Sequence, residues 1–166
     1  LEDNENISIP LNDELDFVRN YLDLQKMRFR DKFDYVIQVE EQVPEGMMVP
    51  KMLIQSFAEN SIKHGLMHRT SGGLLAISVF TSGGALKVIV EDNGVGRARA
   101  GELNPGSTRR GYQITERISE LYRRLYRIRI SQEVEDLFDD AGQSAGTRVV
   151  LTISGSQEVI DSPARL

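Results

Sequence analysis

Two hydrophobic periods alternate along the chain, and their order constrains the fold more than any other feature. Residues 11–29, 50–65 and 112–126 carry apolar side chains at helical spacing. The intervening segments 35–40, 74–80, 86–90, 128–134 and 148–153 are short, rich in β-branched residues and bounded by turn residues, as strands are. This order predicts a two-layer α/β sandwich, in which helices cover one face of a mixed sheet.

Local signals set expected boundaries for these segments. Asn12 is the predicted cap of the first helix, and Asp13 and Glu14 follow it in the first turn. Pro50 is expected to open the second helix and Gly65 to end it. Thr81 to Gly84 predicts a hairpin turn between the second and third strands.

The second half of the chain gives weaker boundaries. Residues 93–110 lack an apolar period and are expected to form a long mobile loop. The third helix is expected to have its apolar stripe on Ile114, Ile118, Leu121 and Leu125. An acidic turn is predicted for residues 136–146, and a frayed polar tail for residues 155–166.

Composition narrows the classes of protein that fit. The 166 residues suffice for one compact domain, and the absence of cysteine excludes disulfides and thiolate sites. A net charge of −5 argues against a nucleic-acid binder. No apolar run is long enough to cross a bilayer, so we expect a soluble, cytoplasmic domain without membrane contact.

The stretch Ala58-Glu59-Asn60-Ser61-Ile62-Lys63-His64-Gly65 is the most informative motif. Asn60, Lys63 and His64 share one helical face, opposite an apolar arc. A neutral carboxamide beside two nitrogen bases suits a metal-bridged phosphate, because its oxygen can bind Mg²⁺ without repelling phosphate oxygens. The alternative interpretation is an ordinary solvated helix face.

A second motif, Glu91-Asp92-Asn93-Gly94-Val95-Gly96, directly follows an apolar strand. The Asp92 carboxylate could accept a hydrogen bond from an exocyclic amine, and Gly94 and Gly96 would let the backbone approach a flat ring. A common Asp-Asn-Gly turn with no ligand is the competing interpretation.

Two further signals are weak by themselves. Arg109-Arg110-Gly111 precedes the third helix, where backbone N–H groups and arginines can bind an anion, although a glycine hinge is as good a reading. Gly146-Thr147 opens the last strand, where the Thr147 hydroxyl could support the Asp92 carboxylate or serve only as a β-former.

The order of these four motifs resembles that of the GHKL (Bergerat-fold) ATPases, a superfamily that includes DNA gyrase and the histidine kinases. Asn60 lies in a stretch similar to their N box, 92–96 resembles their first glycine box, Gly111 their second, and Gly146-Thr147 their adenine-side strand. Within the superfamily the chain resembles LytS-type sensor histidine kinases from about Ile9 to Ile153, through the stretches ELDFVRNYLDLQKMRF, VPKMLIQSFAENSIKHG, VEDNGVG and GYQITERISELY.

The resemblance implies a division of the chain and a set of site residues. Residues 1–30 would be a connecting helix from a dimerisation and phosphoacceptor region, residues 31–154 the ATP-binding catalytic domain, and residues 155–166 a tail. ATP and Mg²⁺ would be the cofactors, with Asn60 binding the metal. The implied ligand-binding and catalytic residues are Glu59, Asn60, Lys63, His64, Asp92, Gly94, Val95, Gly96, Arg109, Arg110, Gly111 and Thr147, with the ATP lid over 95–110.

The implied activity is transfer of the ATP γ-phosphoryl group to a histidine outside these residues. We expect the parent to be a membrane-anchored homodimer in a two-component system, with a histidine-bearing dimerisation domain and a response regulator as partners. The chain departs from the family at Gln113, where a second glycine is usual, and it lacks a phosphoacceptor histidine. An ATP-binding switch or scaffold, and an interaction domain without nucleotide, remain alternatives.

Overall fold

The computed structural model describes residues 7–103 and 108–155, excluding the side chains of residues 31 and 108–115. The helices are α1 (Leu11–Phe29), α2 (Leu53–Asn60), α3 (Arg97–Leu103) and α4 (Thr108–Tyr126). The strands are β1 (Ser8–Pro10), β2 (Phe33–Val39), β3 (Met48–Pro50), β4 (Gly73–Ser82), β5 (Ala85–Asp92), β6 (Arg129–Phe138) and β7 (Ser144–Ser154).

Five strands form a mixed sheet in the order β2-β4-β5-β7-β6. Strands β2 and β4 are parallel, and the other neighbouring pairs are antiparallel. The predicted hairpin joins β4 to β5, and its Gly83 and Gly84 both have positive φ, which suits a tight two-residue turn. The short strands β1 and β3 form a separate antiparallel pair.

The hydrophobic core lies between the helices and one face of the sheet. Alternate residues of β5, from Leu86 to Val90, are buried on this face. Helix α1 contributes Leu11, Leu15, Val18 and Leu22 to the same core. The fold class predicted from the sequence is therefore confirmed, and α1 is packed as part of this unit.

The predicted cap of the first helix and the predicted start of the second helix are wrong. Pro10 rather than Asn12 precedes α1, and Asn12 is an exposed residue of the first turn. Pro50 ends β3, opposite Ser8 of β1, and α2 begins only at Leu53. Pro50 belongs to a strand because β3 pairs with β1, which lies about forty residues earlier in the sequence. No local sequence signal predicts such a pairing.

Helix α2 does not end at Gly65 as a regular α-helix. It continues as a π-helical turn over Ser61–Gly65 and then a 3-10 turn over Leu66–His68. Such π-helical turns are rare and occur frequently at functional sites. Here the turn contacts the segment that follows β5, where the Val95 N–H donates a backbone hydrogen bond to the Gly65 carbonyl.

The predicted loop over residues 93–110 is also wrong in part. Residues 97–103 form α3, whose sequence is rich in helix-forming Arg, Ala and Glu. Ala100 of this helix is buried, and its N–H donates to the Gly96 carbonyl. Helix α4 already begins at Thr108, so Arg109, Arg110 and Gly111 lie in its first turns.

Two expectations for the last third of the chain need correction. On α4, Leu121 and Leu125 are 43% and 60% exposed, whereas Tyr122 is 2% exposed and faces the core. The acidic turn is confined to residues 139–143, because Asp136 belongs to β6 and Ser144 already begins β7. Of the expected tail, residues 156–166 lie outside the described part of the chain.

Candidate functional site

A pocket opens between the end of α2, helix α3 and the inner face of the sheet. Its walls include Phe57, Asn60 and His64 from the α2 segment, together with Ala100 of α3. Strands β5, β6 and β7 line the rest of the pocket with the residues Asp92, Gln132, Val134, Thr147 and Val149. Asn60 and Asp92, predicted from the sequence to share one site, therefore line one cavity.

Asp92 is the most unusual group in this pocket. The carboxyl-bearing residue is 3% exposed and continues the buried face of β5 beyond Val90. Burial raises the pKa of Asp92 to about 6, against the lowering effects of hydrogen bonds from the Gly94 N–H, the Ser61 hydroxyl and the Thr147 N–H. The Gly94 N–H lies 2.9 Å from Asp92 Oδ1. A buried carboxylate beside apolar walls can accept a hydrogen bond from a flat polar ring.

Glycines allow three backbone segments to meet around Asp92. A Cβ on Gly94 would lie 2.4 Å from the Gly65 Cα, and a Cβ on Gly65 would lie 2.6 Å from Asp92 Oδ1. Gly146 has a φ of +135°, and a Cβ there would lie 1.9 Å from the Asp92 carbonyl oxygen. These contacts exclude any side chain, so the glycines hold the π-helical turn and β7 against the end of β5.

Three polar residues form one row across neighbouring strands. Thr147 of β7 pairs with Asp92 of β5 on one side and with Asp136 of β6 on the other. Arg97 donates two hydrogen bonds of 2.7 Å to Asp136, and this ion pair lowers the pKa of the Asp136 carboxyl. The row therefore fastens the start of α3 to the sheet beside the pocket.

The predicted polar face of α2 divides into two parts. Asn60 and His64 line the pocket, while Lys63 is exposed and forms an ion pair with Glu59. Burial, followed by the charges of Lys63 and His68, lowers the pKa of His64. Glu59 and Lys63 flank the wall on which Asn60 lies.

The remaining predicted residues lie after β5, at Thr147 of β7 and at the start of α4. Gly96 and Thr147 line the pocket, and Gly94 and Val95 form the turn that packs on Gly65. Arg109, Arg110 and Gly111 lie in the first turns of α4, and their side-chain environment falls outside the described part of the structure, as does that of Gln113. Five of the predicted site residues therefore line the pocket, namely Asn60, His64, Asp92, Gly96 and Thr147, whereas Lys63 does not.

Sequence reasoning missed several lining residues. Phe57 and Ser61 lie outside the polar face predicted for the second helix, and Arg97 and Ala100 lie in the segment predicted to be a loop. Gln132 and Val134 lie on the inner face of β6, where strict alternation with the exposed Ser131, Glu133 and Glu135 is a signal that could have identified them. The buried Gln132 Oε1 has no hydrogen-bond partner within the described protein.

Comparison with known proteins finds histidine kinases among the proteins similar to this chain. A family model described as Histidine kinase matches residues 1–33. The sensor histidine kinase YesM of Bacillus subtilis (strain 168) is 30% identical over 155 residues, which are 92% of this chain and 25% of YesM. The sensor histidine kinase/phosphatase LytS of Staphylococcus aureus (strain MRSA252) is 36% identical over 97 residues, 58% of this chain and 16% of LytS. The chain thus spans about a quarter of YesM and less of LytS.

Solved structures share the fold at low sequence identity. The catalytic domain of histidine kinase ThkA, in a nucleotide-free form, has a TM-score of 0.55 and 14% identity, covering 89% of this chain and 95% of ThkA's. Full-length ShkA in complex with AMPPNP has a TM-score of 0.61 and 16% identity, covering 95% of this chain and 33% of ShkA's. Among the described residues, no helix has the length and apolar character needed to cross a membrane.

Proposed function

We propose that this chain, whose homologues are sensor histidine kinases and whose fold is that of histidine kinase catalytic domains, binds Mg-ATP and donates its γ-phosphoryl group to a histidine. One observation carries the proposal. The buried Asp92 carboxylate and the Asn60 carboxamide line the same pocket, although they are 32 positions apart in the sequence.

The adenine ring would bind at the part of the pocket that Asp92 lines. Its exocyclic amine would donate to the Asp92 carboxylate, and its faces would contact Val134, Val149 and Ala100. Hydrogen bonds from the Gly94 N–H, the Ser61 hydroxyl and the Thr147 N–H hold that carboxyl group in place. A fixed, buried acceptor favours a base with an amine at this position over one with a carbonyl oxygen.

The phosphates would extend toward Asn60, His64 and Lys63. Among the described residues there is no group of three His, Asp or Glu side chains that could hold a metal ion. A magnesium ion at this site would therefore depend on phosphate oxygens and water, with Asn60 as its protein ligand, which suits the way Mg²⁺ binds to nucleotides. When bound, it would neutralise charge on the phosphates.

In the proposed reaction an imidazole nitrogen of the acceptor attacks the γ-phosphorus, the bond to the β-phosphate oxygen breaks, and ADP leaves. Catalysis of this kind rests on positioning and charge neutralisation. Asn60, Lys63 and the lid residues Val95, Arg109, Arg110 and Gly111 would position the phosphates. Glu59 would accept or orient the acceptor's N–H proton.

The proposed partners follow from the relatives. The acceptor histidine would belong to a dimerisation domain of a longer, membrane-anchored and cytoplasm-facing homodimeric parent, and a response regulator would then receive the phosphoryl group. Residues 1–30 would connect this domain to the acceptor region. The family-model match over residues 1–33 supports this last assignment.

Two measurements test the proposal in sequence. Mg-ATP should raise the melting temperature of the 166-residue chain, because a ligand of the native state stabilises it by mass action. Labelled ATP should then transfer phosphate to a histidine of the full-length parent. Absence of any thermal shift in a folded chain would instead favour an interaction domain that binds no nucleotide.

The second candidate function is an ATP-binding switch or scaffold. Gln113 in place of the usual glycine keeps this alternative open. A clear thermal shift together with a full-length parent that remains unlabelled would favour it. For the kinase itself, replacement Glu59→Gln tests the proton role, and an unchanged transfer rate would remove Glu59 from the mechanism.

A further inference from the structure

A charged residue far from the pocket is completely buried. Glu14, on the core-facing side of α1, is 0% exposed. Its Oε2 accepts a hydrogen bond of 2.8 Å from the Met52 N–H, and its Oε1 accepts one of 3.2 Å from the Gln55 N–H. A charge in the core is costly unless such bonds compensate it, so its position between these two helices is specific.

The N–H groups that Glu14 binds are those at the start of α2. A helix leaves its first N–H groups without internal partners, and a side chain just before the helix usually accepts from them. Met52 occupies that position, has a φ of +61° and offers no capping oxygen. Glu14 therefore caps α2 from another helix, and its negative charge also complements the helix dipole.

The capped helix carries one wall of the nucleotide pocket. Phe57 and Asn60 lie on α2, whereas Asp92 lies at the end of strand β5. A shift of α2 over the sheet would therefore change the distance between Asn60 and Asp92. Since a short helix moves as a rigid unit, the contact that fixes its first turn also fixes Asn60 in its last turn.

The same N-terminal region also contacts the helix that follows the predicted lid. The buried Tyr122 of α4 donates its hydroxyl proton to the Ile7 carbonyl oxygen, next to β1. Strand β1 leads directly into α1, and β3, paired with it, leads to Met52. Helix α1 is thus joined by buried polar contacts to the start of α2 and, through β1, to α4.

We propose that Glu14 is a positioning residue, which holds α2 so that Asn60 meets the phosphates while Asp92 holds the base. The proposal rests on the proposed function. It makes α1 the element whose position sets the phosphate end of the site, and a displacement of α1 would weaken Mg-ATP binding without altering the base-binding end.

The test separates positioning from stability by comparing two ligands. In the variant Glu14→Gln, calorimetry should show Mg-ATP affinity lower by about tenfold, the size of a lost helix cap, since an amide nitrogen then faces a backbone N–H. Affinity for adenosine, which contacts the base-binding end only, should stay within about twofold.

The matched control is Val79→Ala, which removes two buried methyl groups from β4, a strand that does not line the pocket or contact Glu14 by a hydrogen bond. It should lower the melting temperature yet leave both affinities unchanged. Equal Mg-ATP affinities in wild type and Glu14→Gln, with only the melting temperature reduced, would overturn the proposal. No binding of Mg-ATP by the wild-type chain would instead overturn the proposed function.

A second pair of measurements covers the case in which Glu14→Gln does not fold. Glu14→Asp keeps the charge but retracts it by one methylene group, so the ratio of Mg-ATP to adenosine affinity should fall in the same direction. In the wild type, Mg-ATP should slow hydrogen exchange at the Met52 and Gln55 amides more than adenosine does. Equal protection by the two ligands would contradict the coupling.

Discussion

At the scale of single residues, the Asp92 carboxylate has two roles, one in the structure and one in the proposed binding of the ligand. One oxygen accepts from the Gly94 N–H, and the residue also lines the pocket. We expect Asp92→Asn to keep the fold while weakening Mg-ATP binding by about tenfold to a hundredfold, the worth of a hydrogen bond to a charged group. The amide can present a donor to the adenine amine where an acceptor is needed. Calorimetry measures this loss, and an unchanged affinity would contradict the assignment of the base-binding end.

Asn60 gives the complementary prediction for the phosphate end. Asn60→Asp has the same shape but adds a negative charge beside the expected polyphosphate. Mg-ATP affinity should therefore fall, and adenosine affinity should stay the same, because adenosine carries no phosphate. A variant that binds Mg-ATP as tightly as the wild type would remove Asn60 from the metal and phosphate role.

At the scale of elements, the glycine contact between the π-helical turn and the segment after β5 is the joint that forms the pocket. Gly94→Ala would place a methyl carbon 2.4 Å from the Gly65 Cα, so the two backbones must separate. We expect unfolding free energy to fall by about 3 kcal/mol, the upper end for overpacking, and nucleotide binding to be lost.

A matched glycine distinguishes this joint from a general effect of substitution. Gly101 lies within α3, and a Cβ there would meet no atom within 4 Å. Gly101→Ala should therefore raise the unfolding free energy by about 0.5–1 kcal/mol, as alanine does in a helix interior. Chemical denaturation measures both variants. Comparable losses of unfolding free energy in the two variants would mean that the close contact between Gly94 and Gly65 is not the reason why alanine destabilises position 94.

The elements also reveal which parts of the fold the sequence could predict. Helix α1 and the β4–β5 hairpin follow from local periodicity, because their buried faces repeat at regular intervals. The burial of Tyr122 was not predicted, because its hydroxyl group donates to the carbonyl oxygen of Ile7, a partner that is distant in sequence. Helix α3 was missed because its short apolar face is limited to Ala100 and its anchor, Asp136, lies on another strand.

The candidate site was predicted by residue type more fully than by geometry. Asp92 and Asn60 were identified because their motifs follow the order found in the GHKL ATPases, whereas either motif alone also fits a plain turn or a solvated helix face. The cap that Glu14 supplies to α2 was not predicted, since a carboxylate in the first turn of α1 already has a local explanation in the dipole of its own helix. Contacts between residues about forty positions apart have no local signature.

At the scale of the whole molecule, burial of Asp92 links stability to pH. Its pKa is raised from 3.8 to about 6, so the native state binds more protons than the unfolded chain between these values. The contribution of Asp92 to the unfolding free energy of the wild type should therefore fall as pH rises through this window. Replacement Asp92→Asn removes the group that titrates there. Relative to wild type, the variant should gain about 2–3 kcal/mol between about pH 4 and about pH 7, because each pKa unit corresponds to about 1.4 kcal/mol.

The difference in unfolding free energy between the wild type and Asp92→Asn reports on the Asp92 carboxyl group alone. Glu14 has a pKa raised by burial and Asp136 has one lowered by Arg97, but both groups are present in each protein and cancel in the subtraction. Urea denaturation at a series of pH values measures the difference directly. A difference that does not vary with pH would show that the Asp92 carboxyl is solvated in the native state. The rigid acceptor on which recognition of the base depends would then be absent, because a solvated carboxyl could turn away from the pocket.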